Sequence, residues 1–215
     1  MFEHEKNPPA PTQSTEIRES YDTRQNRVLK AATGVIARVG YERATMRAVA
    51  KAANVSLAGL YHYFDNKEKI LFLIQHRTFS SLVGGLREKL HGVSDPVKQL
   101  HIMVRSHVSY FAEHMAALKA CSHELDTLTG EASVEARRLH REYYDITRDI
   151  VDRIIATRPD AKELNQHIAT MLLFSMLNWL YRWYDPQRGS SPTTITNQIV
   201  KQYLQGLLGE SNRAN

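Results

Sequence analysis

Twenty residues decide the fold: Thr45-Met-Arg-Ala-Val-Ala-Lys-Ala-Ala-Asn-Val-Ser-Leu-Ala-Gly-Leu-Tyr-His-Tyr-Phe64. This stretch predicts two short helices joined by a three-residue turn. Thr45 is placed to cap the first helix, Met46–Ala53, and Ser56 is placed to cap the second, which runs to about Tyr63. Two short helices in this order are typical of a helix-turn-helix, whose second helix lies in the major groove of DNA.

The second helix also indicates which side chains would meet a duplex. Val49, Val55 and Leu60 supply an apolar seam between the two helices, so the opposite side faces outward. Small outward side chains let the backbone approach the groove, and hydroxyl or imidazole groups can reach phosphates and base edges. The candidate groove residues are Ser56, Leu57, Ala58, Gly59, Tyr61 and His62. We expect Tyr63 and Phe64 to be core residues instead.

Positive charge is concentrated in the same part of the 215-residue chain. The net charge is +5, and residues 18–69 hold ten basic against five acidic side chains. A local basic excess of this kind predicts a polyanionic partner, which for a helix-turn-helix is double-stranded DNA.

The residues of this region resemble the signature of the TetR family of transcriptional regulators. The resemblance covers about residues 25–73. The matching positions are Tyr41, Thr45, Val49, Ala50, Ala53, Val55, Ser56, Leu60, Tyr61, Tyr63, Phe64, Lys67 and Glu68. It implies an N-terminal three-helix DNA-binding domain joined to a helical domain that binds a ligand and dimerises.

The resemblance also implies roles for individual residues. Thr45 and Lys67 are expected to contact phosphates, with Arg47 close to the groove. Family members often carry Lys-Gly or Arg-Gly after the serine, whereas this chain has Leu57-Ala58. That departure favours contact with a thymine methyl group and removes a guanine contact.

Apolar residues keep a helical period along almost the whole chain, which predicts an all-α fold of about nine helices. Residues 1–16 contain prolines without apolar periodicity and are interpreted as a flexible leader. The helix-turn-helix domain is expected over residues 17–66, and the ligand-binding and dimerisation domain over 67–215. Leu164–Tyr184 is apolar on nearly every face, so we expect it to form, with Ile195–Leu208, a four-helix interface with a second subunit.

Several classes of protein are not favoured. No stretch of 18 apolar residues and no signal peptide is present, so a soluble cytoplasmic protein without a membrane partner is expected. Cys121 is the only cysteine, and the histidines show no compact ligand set, so neither a metal nor a cofactor is expected. The nearest acidic pairs, Glu124 with Asp126 and Glu142 with Asp145, are no more than surface patterns, which argues against an enzyme.

An aromatic segment near the carboxyl end is a candidate ligand site. Trp179 and Trp183 share a helical face, and Arg182 lies on the adjacent one. An arginine among aromatic rings suits an anionic ligand with a large apolar body. The alternative interpretation is a dimer interface anchored by the two tryptophans.

A basic cluster lies upstream of the aromatic segment. Arg137, Arg138 and Arg141 form either a solvated helix face or a phosphate-binding rim, with His123 on the preceding helix lining the other side of a pocket. The apolar interior of such a pocket would be supplied by Phe111, Met115, Leu125, Met176 and Trp179.

These C-terminal pieces resemble, more loosely, TetR-family regulators that respond to acyl-coenzyme A thioesters. The resembling pieces are Ser122-His-Glu-Leu-Asp-x-Leu128, Arg138-x-x-x-Glu142-Tyr143 and Asn178-Trp179-x-x-x-Trp183-Tyr184-x-Pro186-x-x-Gly189. The candidate ligand residues are therefore Phe111, Met115, His123, Leu125, Arg138, Arg141, Tyr143, Met176, Trp179, Arg182 and Trp183.

The resemblance predicts a homodimeric repressor that a small anionic effector, such as an acyl-coenzyme A thioester of a catabolic pathway, releases from a palindromic operator. Two alternatives stay open. One is a regulator of an efflux pump that responds to a hydrophobic drug-like compound, and the other is an architectural DNA-binding protein that needs no ligand.

Overall fold

The computed structural model describes residues 13–157, 164–187 and 189–208, and within these ranges the chain is helical and contains no strand. The helices are α1 (Gln13–Val39), α2 (Met46–Ala53), α3 (Leu57–Tyr61), α4 (Lys67–Leu90), α5 (Pro96–Glu113), α6 (Met115–His123), α7 (Gly130–Ala156), α8 (Gln166–Asn178), α9 (Leu180–Trp183) and α10 (Pro192–Leu208), with a 3-10 turn at Leu125–Thr127. The predicted all-α fold is confirmed. The nine expected helical segments are present in the described residues, and the eighth is divided at Trp179 into α8 and α9.

Several helix boundaries differ from the sequence interpretation. Helix α1 begins at Gln13, inside the segment 1–16 that was interpreted as a flexible leader; residues 1–12 lie outside the described ranges. Helix α3 ends at Tyr61 rather than about Tyr63. Helix α8 begins at Gln166 rather than Leu164.

The first core is formed by α1, α2, α3 and the beginning of α4, which we call the headpiece. Val28, Ile36, Leu60 and Ile70 are at most 1% exposed within it. Side chains of α6 and α7 complete this core, among them Ala120 and Ala136. The headpiece therefore closes its hydrophobic core only against the rest of the chain, which we call the body.

The second core lies in the body, between α4, α5, α7, α8 and α10. Helix α4 runs without a break over Lys67–Leu90 and contributes to both cores, with Ile70 in the first and Leu86 in the second. A single continuous helix thus connects the helix-turn-helix to the body. The position of the domain boundary at residues 66–67 stays a prediction.

Candidate DNA interface and effector sites

The helix-turn-helix begins with two side-chain caps, as the sequence predicted. The hydroxyl of Thr45 accepts the N–H of Ala48 at 3.1 Å at the start of α2. The hydroxyl of Ser56 accepts the N–H of Gly59 at 2.9 Å at the start of α3. Asn54 takes a left-handed conformation between the two helices, at φ +55°, which reverses the chain. The caps and the turn together fix the orientation of α3 relative to α2.

The predicted seam is more buried than the predicted outward face, although Val55 of the seam is only half-buried. Val49 and Leu60 are buried, at 1% and 0% exposure, and Phe64 is a core residue at 1%. Tyr63 is half-buried. The candidate DNA-contact residues that are exposed are Thr45, Arg47, Ser56, Ala58, Tyr61 and His62, whereas Leu57 and Gly59 are half-buried. This outward face, α3 with the start of α2, is the candidate DNA interface.

Gly59 has little free space around it. A Cβ atom there would lie 3.1 Å from the Ser56 hydroxyl oxygen, which is the atom that caps α3. A larger residue at position 59 would therefore require the Ser56 side chain to shift by a few tenths of an ångström.

Lys51 is a candidate contact that the sequence reasoning did not single out. It is exposed on α2 and lies four residues after Arg47, so the two cations occupy one helix face. The i, i+4 spacing is a signal that was available in the sequence. These two cations on α2, next to α3, would add sequence-independent affinity for the phosphates of DNA.

Lys67 has a different place from the one the resemblance implied. Its Nζ atom donates to the carbonyl oxygens of Tyr41 at 2.8 Å and Glu42 at 3.3 Å, and it lies 4.1 Å from the centre of the Tyr41 ring. The ammonium group thus holds the turn between α1 and α2. One of its three N–H groups stays available for a phosphate, so the phosphate contact stays a prediction.

In the described residues, three sets of hydrogen bonds join the headpiece to the body. The Glu124 carboxylate accepts the backbone N–H of Tyr41 at 2.9 Å. The Glu68 carboxylate accepts the backbone N–H of Thr129 at 2.8 Å and its hydroxyl at 2.7 Å, and these bonds lower the pKa of Glu68. Arg77 of α4 donates to the side chains of Gln25 and Asn26 of α1. A shift of α4 or of the α6 region in the body must therefore strain the headpiece.

A cleft of 360 Å³ lies between α1, α4 and the junction of α5 with α6; we call it the junction cleft. Lys30 and Arg77 bring positive charge to its wall, and Glu113 and His114 stand on the α5 side. Met115, one of the predicted ligand residues, lines it as well. A molecule in the junction cleft would touch headpiece and body at once.

The other predicted ligand residues do not surround one cavity with Met115. Phe111 and Tyr143 are 1% exposed inside the body core. Leu125 packs against the headpiece core. The backbone of His123 ends α6, and its side chain lies outside what the structure describes.

The arginines of α7 form surface ion pairs, which is the first of the two interpretations given for them. Arg138 is held at 2.8 Å by Glu135 and at 2.9 Å by Glu142, and these carboxylates raise its pKa. Arg137 pairs with Asp126 at 2.7 Å. Arg141 is exposed. Because Arg138 is already shared by two carboxylates, a phosphate rim built on it would have to displace them.

The aromatic segment lies on an open apolar face of the body. Trp179 and Trp183 are 56% and 58% exposed, and Met176 lines the same groove between α8 and α10. The Arg182 guanidinium lies 5.7 Å from the centre of the Trp179 ring. The exposed apolar residues continue along α8 through Leu172, so we call this surface the α8–α10 face. Both interpretations of the tryptophans, a ligand site and a dimer interface, stay predictions.

Three buried residues and one half-buried residue, His140, form a group in the body that the sequence reasoning did not bring together, although Tyr143 was among the predicted ligand residues. The group lies between α4, α5 and α7, and we call it the polar core. Its members are Gln75, His107, His140 and Tyr143. The Nδ1 atom of His107 lies 3.2 Å from the Tyr143 hydroxyl, and Oε1 of Gln75 lies 2.9 Å from Nε2 of His140. Residue spacing gave no signal for this group because its members come from three separate helices.

Two kinds of site were searched for in the described ranges and not found. No helix there combines the length and the apolar character needed to cross a bilayer. No three His, Cys, Asp or Glu side chains of those residues come together as a possible metal site.

A capped helix-turn-helix with a basic outward face, held on a helical body, defines a DNA-binding regulator of transcription. Residues 28–74 match the family model "Bacterial regulatory proteins, tetR family". Residues 93–207 match the model "Tetracyclin repressor-like, C-terminal domain". The second match alone spans more than half of the chain, so the protein belongs to the TetR family of transcriptional regulators, as its signature residues predicted.

Three similar proteins illustrate the range of the family. The transcriptional repressor KstR2 of Rhodococcus jostii is 23% identical over 190 residues, which cover 88% of this chain and 93% of the relative. The structure of AibR in complex with isovaleryl coenzyme A and operator DNA superposes with a TM-score of 0.71 at 22% identity, covering 83% of this chain and 97% of AibR. The structure of FadR from Bacillus subtilis in complex with stearoyl-CoA has a TM-score of 0.65 at 20% identity, covering 84% and 98%. At these identities the two structures establish the fold of the chain.

Proposed function

We propose that the protein is a repressor that an acyl-coenzyme A thioester of a catabolic pathway releases from a palindromic operator. The names of similar proteins support the class of effector, since AibR and FadR were crystallised with isovaleryl coenzyme A and stearoyl-CoA. The name of KstR2 supports the sign of control, because it is a repressor. The proposal places the protein in the cytoplasm, where the operator is, and gives it no catalytic step.

The observation that carries the proposal is the position of the junction cleft. Lys30 of α1 belongs to the headpiece, whereas Tyr110 and Met115 belong to the body, and all three line the cleft. A ligand there is sensitive to the spacing between α1 and α5–α6. It shifts the equilibrium between DNA-binding and released forms by the difference in its affinity for the two. Lys30 and Arg77 are suited to the phosphates of a coenzyme A thioester.

The proposal requires a dimer, and the α8–α10 face is the proposed interface. Ile168, Leu172 and Trp183 are 56%, 59% and 58% exposed on it. Apolar side chains exposed together are typical of a surface that another subunit covers. A two-fold axis through this face would place the two α3 helices for successive major grooves of an operator, about 34–36 Å apart.

The experiment is a titration of a protein–operator complex. Operator fragments are first selected from genomic DNA by retention on the purified protein, and one is labelled for fluorescence anisotropy. Acyl-coenzyme A thioesters of increasing chain length, free coenzyme A and the free acids are then added. Release by thioesters alone supports the proposal.

A matched pair of variants locates the effector. Lys30→Glu is expected to weaken release by the thioester about tenfold, since it reverses a charge in the junction cleft. Lys98→Glu is the control because Lys98 lies at the start of α5, while the cleft lies at its end.

Other outcomes of the titration would replace the proposal. Release by a hydrophobic drug-like compound and by no thioester would favour the regulator of an efflux pump. Specific retention that no compound affects would favour the architectural protein.

A further inference from the structure

The polar core holds two hydrogen-bonding atoms that lack partners among the described residues. They are Nε2 of Gln75 and Nε2 of His107. Both side chains are buried, at 0% and 2% exposure. Buried polar atoms are nearly always hydrogen-bonded, because a buried donor without an acceptor loses its bonds to water and gains nothing in return. Two such atoms in one core therefore call for hydrogen-bond partners that the described residues do not supply.

The two atoms belong to one cluster. Their bonded partners, His140 and Tyr143, are three residues apart on α7 and share a helix face. The Phe79 ring lies between these partners, with its centre 3.5 Å from that of His140 and 5.9 Å from that of Tyr143. A ligand group that reaches one of the unpartnered atoms would therefore be surrounded by aromatic rings.

The amide nitrogen of Gln75 is a donor. We assign the ring hydrogen of His107 to Nε2, with the Tyr143 hydroxyl as the donor to Nδ1, which makes Nε2 a second donor. Oε1 of Gln75 accepts from His140, which leaves the amide N–H groups free. Burial lowers the pKa of His107 to about 3 and that of His140 to about 4, so both rings are neutral at pH 7. Neutral donors among aromatic rings suit an uncharged oxygen better than a carboxylate.

A series of ring contacts connects the junction cleft with this group. Tyr110 lines the cleft, and its ring centre lies 5.2 Å from that of Phe111. The Phe111 ring in turn lies 4.7 Å from His107. These rings are packed against one another, so an apolar ligand group must displace them to reach the donors from the cleft.

We infer that the polar core binds the oxygen of a keto or hydroxyl group carried on the apolar part of the effector, so that the regulator selects an oxygenated acyl group over a plain alkyl chain. This inference rests on the proposed function and specifies its effector. A plain alkyl chain leaves both donors unpaired, whereas an oxygenated chain supplies the acceptor that they lack.

The test measures binding by calorimetry, independently of DNA. The ligands are octanoyl-coenzyme A and its derivatives with a keto or a hydroxyl group at C3, C5 or C7. We expect at least one derivative to bind about tenfold more tightly than octanoyl-coenzyme A, which corresponds to one buried hydrogen bond. The double variant His107→Phe with Tyr143→Phe should bind octanoyl-coenzyme A and the preferred derivative with about equal affinity. The reason is that it removes one donor together with its internal partner.

Two further variants keep the test decisive. Gln75→Met removes the other donor and should lower the preference even if the double variant folds poorly. His101→Phe makes the same substitution on α5 at a half-buried position, where the ring bonds Asn197, and should leave the preference unchanged. Equal binding of plain and oxygenated thioesters by the wild type overturns the inference, although the proposed function survives. Preferential binding without release of DNA supports the inference and overturns the proposed function, and no binding of any thioester overturns both.

Discussion

The carboxylate of Glu124 accepts the backbone N–H of Tyr41 at 2.9 Å, which ties the end of the α6 region to the turn between α1 and α2. The two residues are 83 positions apart. Among the described residues, this bond is one of the polar contacts by which the body can hold the headpiece in one orientation.

Removing this hydrogen bond should lower the free energy of unfolding and should weaken the release of the operator by the effector. Glu124→Ala is expected to lower the free energy of unfolding by about 1–3 kcal/mol, since the N–H of Tyr41 loses a charged acceptor. Glu124→Gln is the matched control because its amide oxygen can still accept. Urea denaturation and thioester titration of the operator complex measure the two effects. Equal stability of the alanine variant and the wild type would show that the bond contributes nothing.

Ser56 allows the capping of α3 to be separated from the contact with DNA. Ser56→Ala removes the cap and should cost about 1 kcal/mol of stability, whereas Ser56→Asp retains it. The aspartate, however, places a negative charge on the candidate DNA interface. We expect the aspartate variant to be the more stable of the two and the weaker DNA binder. Thermal melting measures the stability of the two variants, and fluorescence anisotropy measures their affinity for the operator. If the more stable variant is also the tighter DNA binder, Ser56 does not lie at the duplex.

A charge on the α8–α10 face should abolish the proposed dimer. Leu172→Glu buries a carboxylate at the interface without disturbing the core, because Leu172 is 59% exposed in the single chain. Val134→Glu is the control, since Val134 is also apolar and is 72% exposed on α7. Sedimentation velocity should give a monomer for the first variant and a dimer for the second. The monomer should also lose most of its operator affinity, and a dimeric Leu172→Glu protein would refute the assignment.

The buried imidazole of His107 predicts loss of stability in acid. Its pKa is lowered by burial to about 3, against an ordinary value of 6.5. Below pH 6.5 the unfolded chain therefore binds a proton that the folded chain does not. Stability is fully present above pH 6.5 and is lost as the pH falls toward 3, by at most about 1.4 kcal/mol per pH unit.

Chemical denaturation between pH 4.5 and 7.5 measures this slope. The double variant His107→Phe with Tyr143→Phe should have a shallower slope than the wild type, although His140 contributes in the same direction because its pKa is lowered to about 4. An unchanged slope would mean that His107 accepts a proton in the folded protein.

Cys121 should be chemically inert in the folded protein. It is 5% exposed, and burial raises its pKa to about 12. Because the thiolate is the reactive form, iodoacetamide at pH 8 should label Cys121 only when the chain unfolds. Mass spectrometry with and without urea gives the comparison. Labelling of the folded protein at the rate of a free thiol would contradict the burial.

The geometry of the candidate DNA interface was predictable because it depends on residues that are close together in the chain. Capping at Thr45 and Ser56, the seam at Val49 and Leu60, and the outward position of Tyr61 all follow from spacing within twenty residues. The effector region was less predictable because its contacts are long-range. Trp179 and Trp183 have the composition of a ligand site, yet they lie on an open face.

The sequence by itself determined the all-α fold, the helix-turn-helix and its caps, since helical periodicity and capping depend on neighbours a few residues away. Only the tertiary structure decided that α6 and α7 complete the headpiece core, that Glu124 meets Tyr41, and that Gln75 and His107 share one buried group. Those relationships depend on how helices distant in the chain pack together, which no local pattern of residues records.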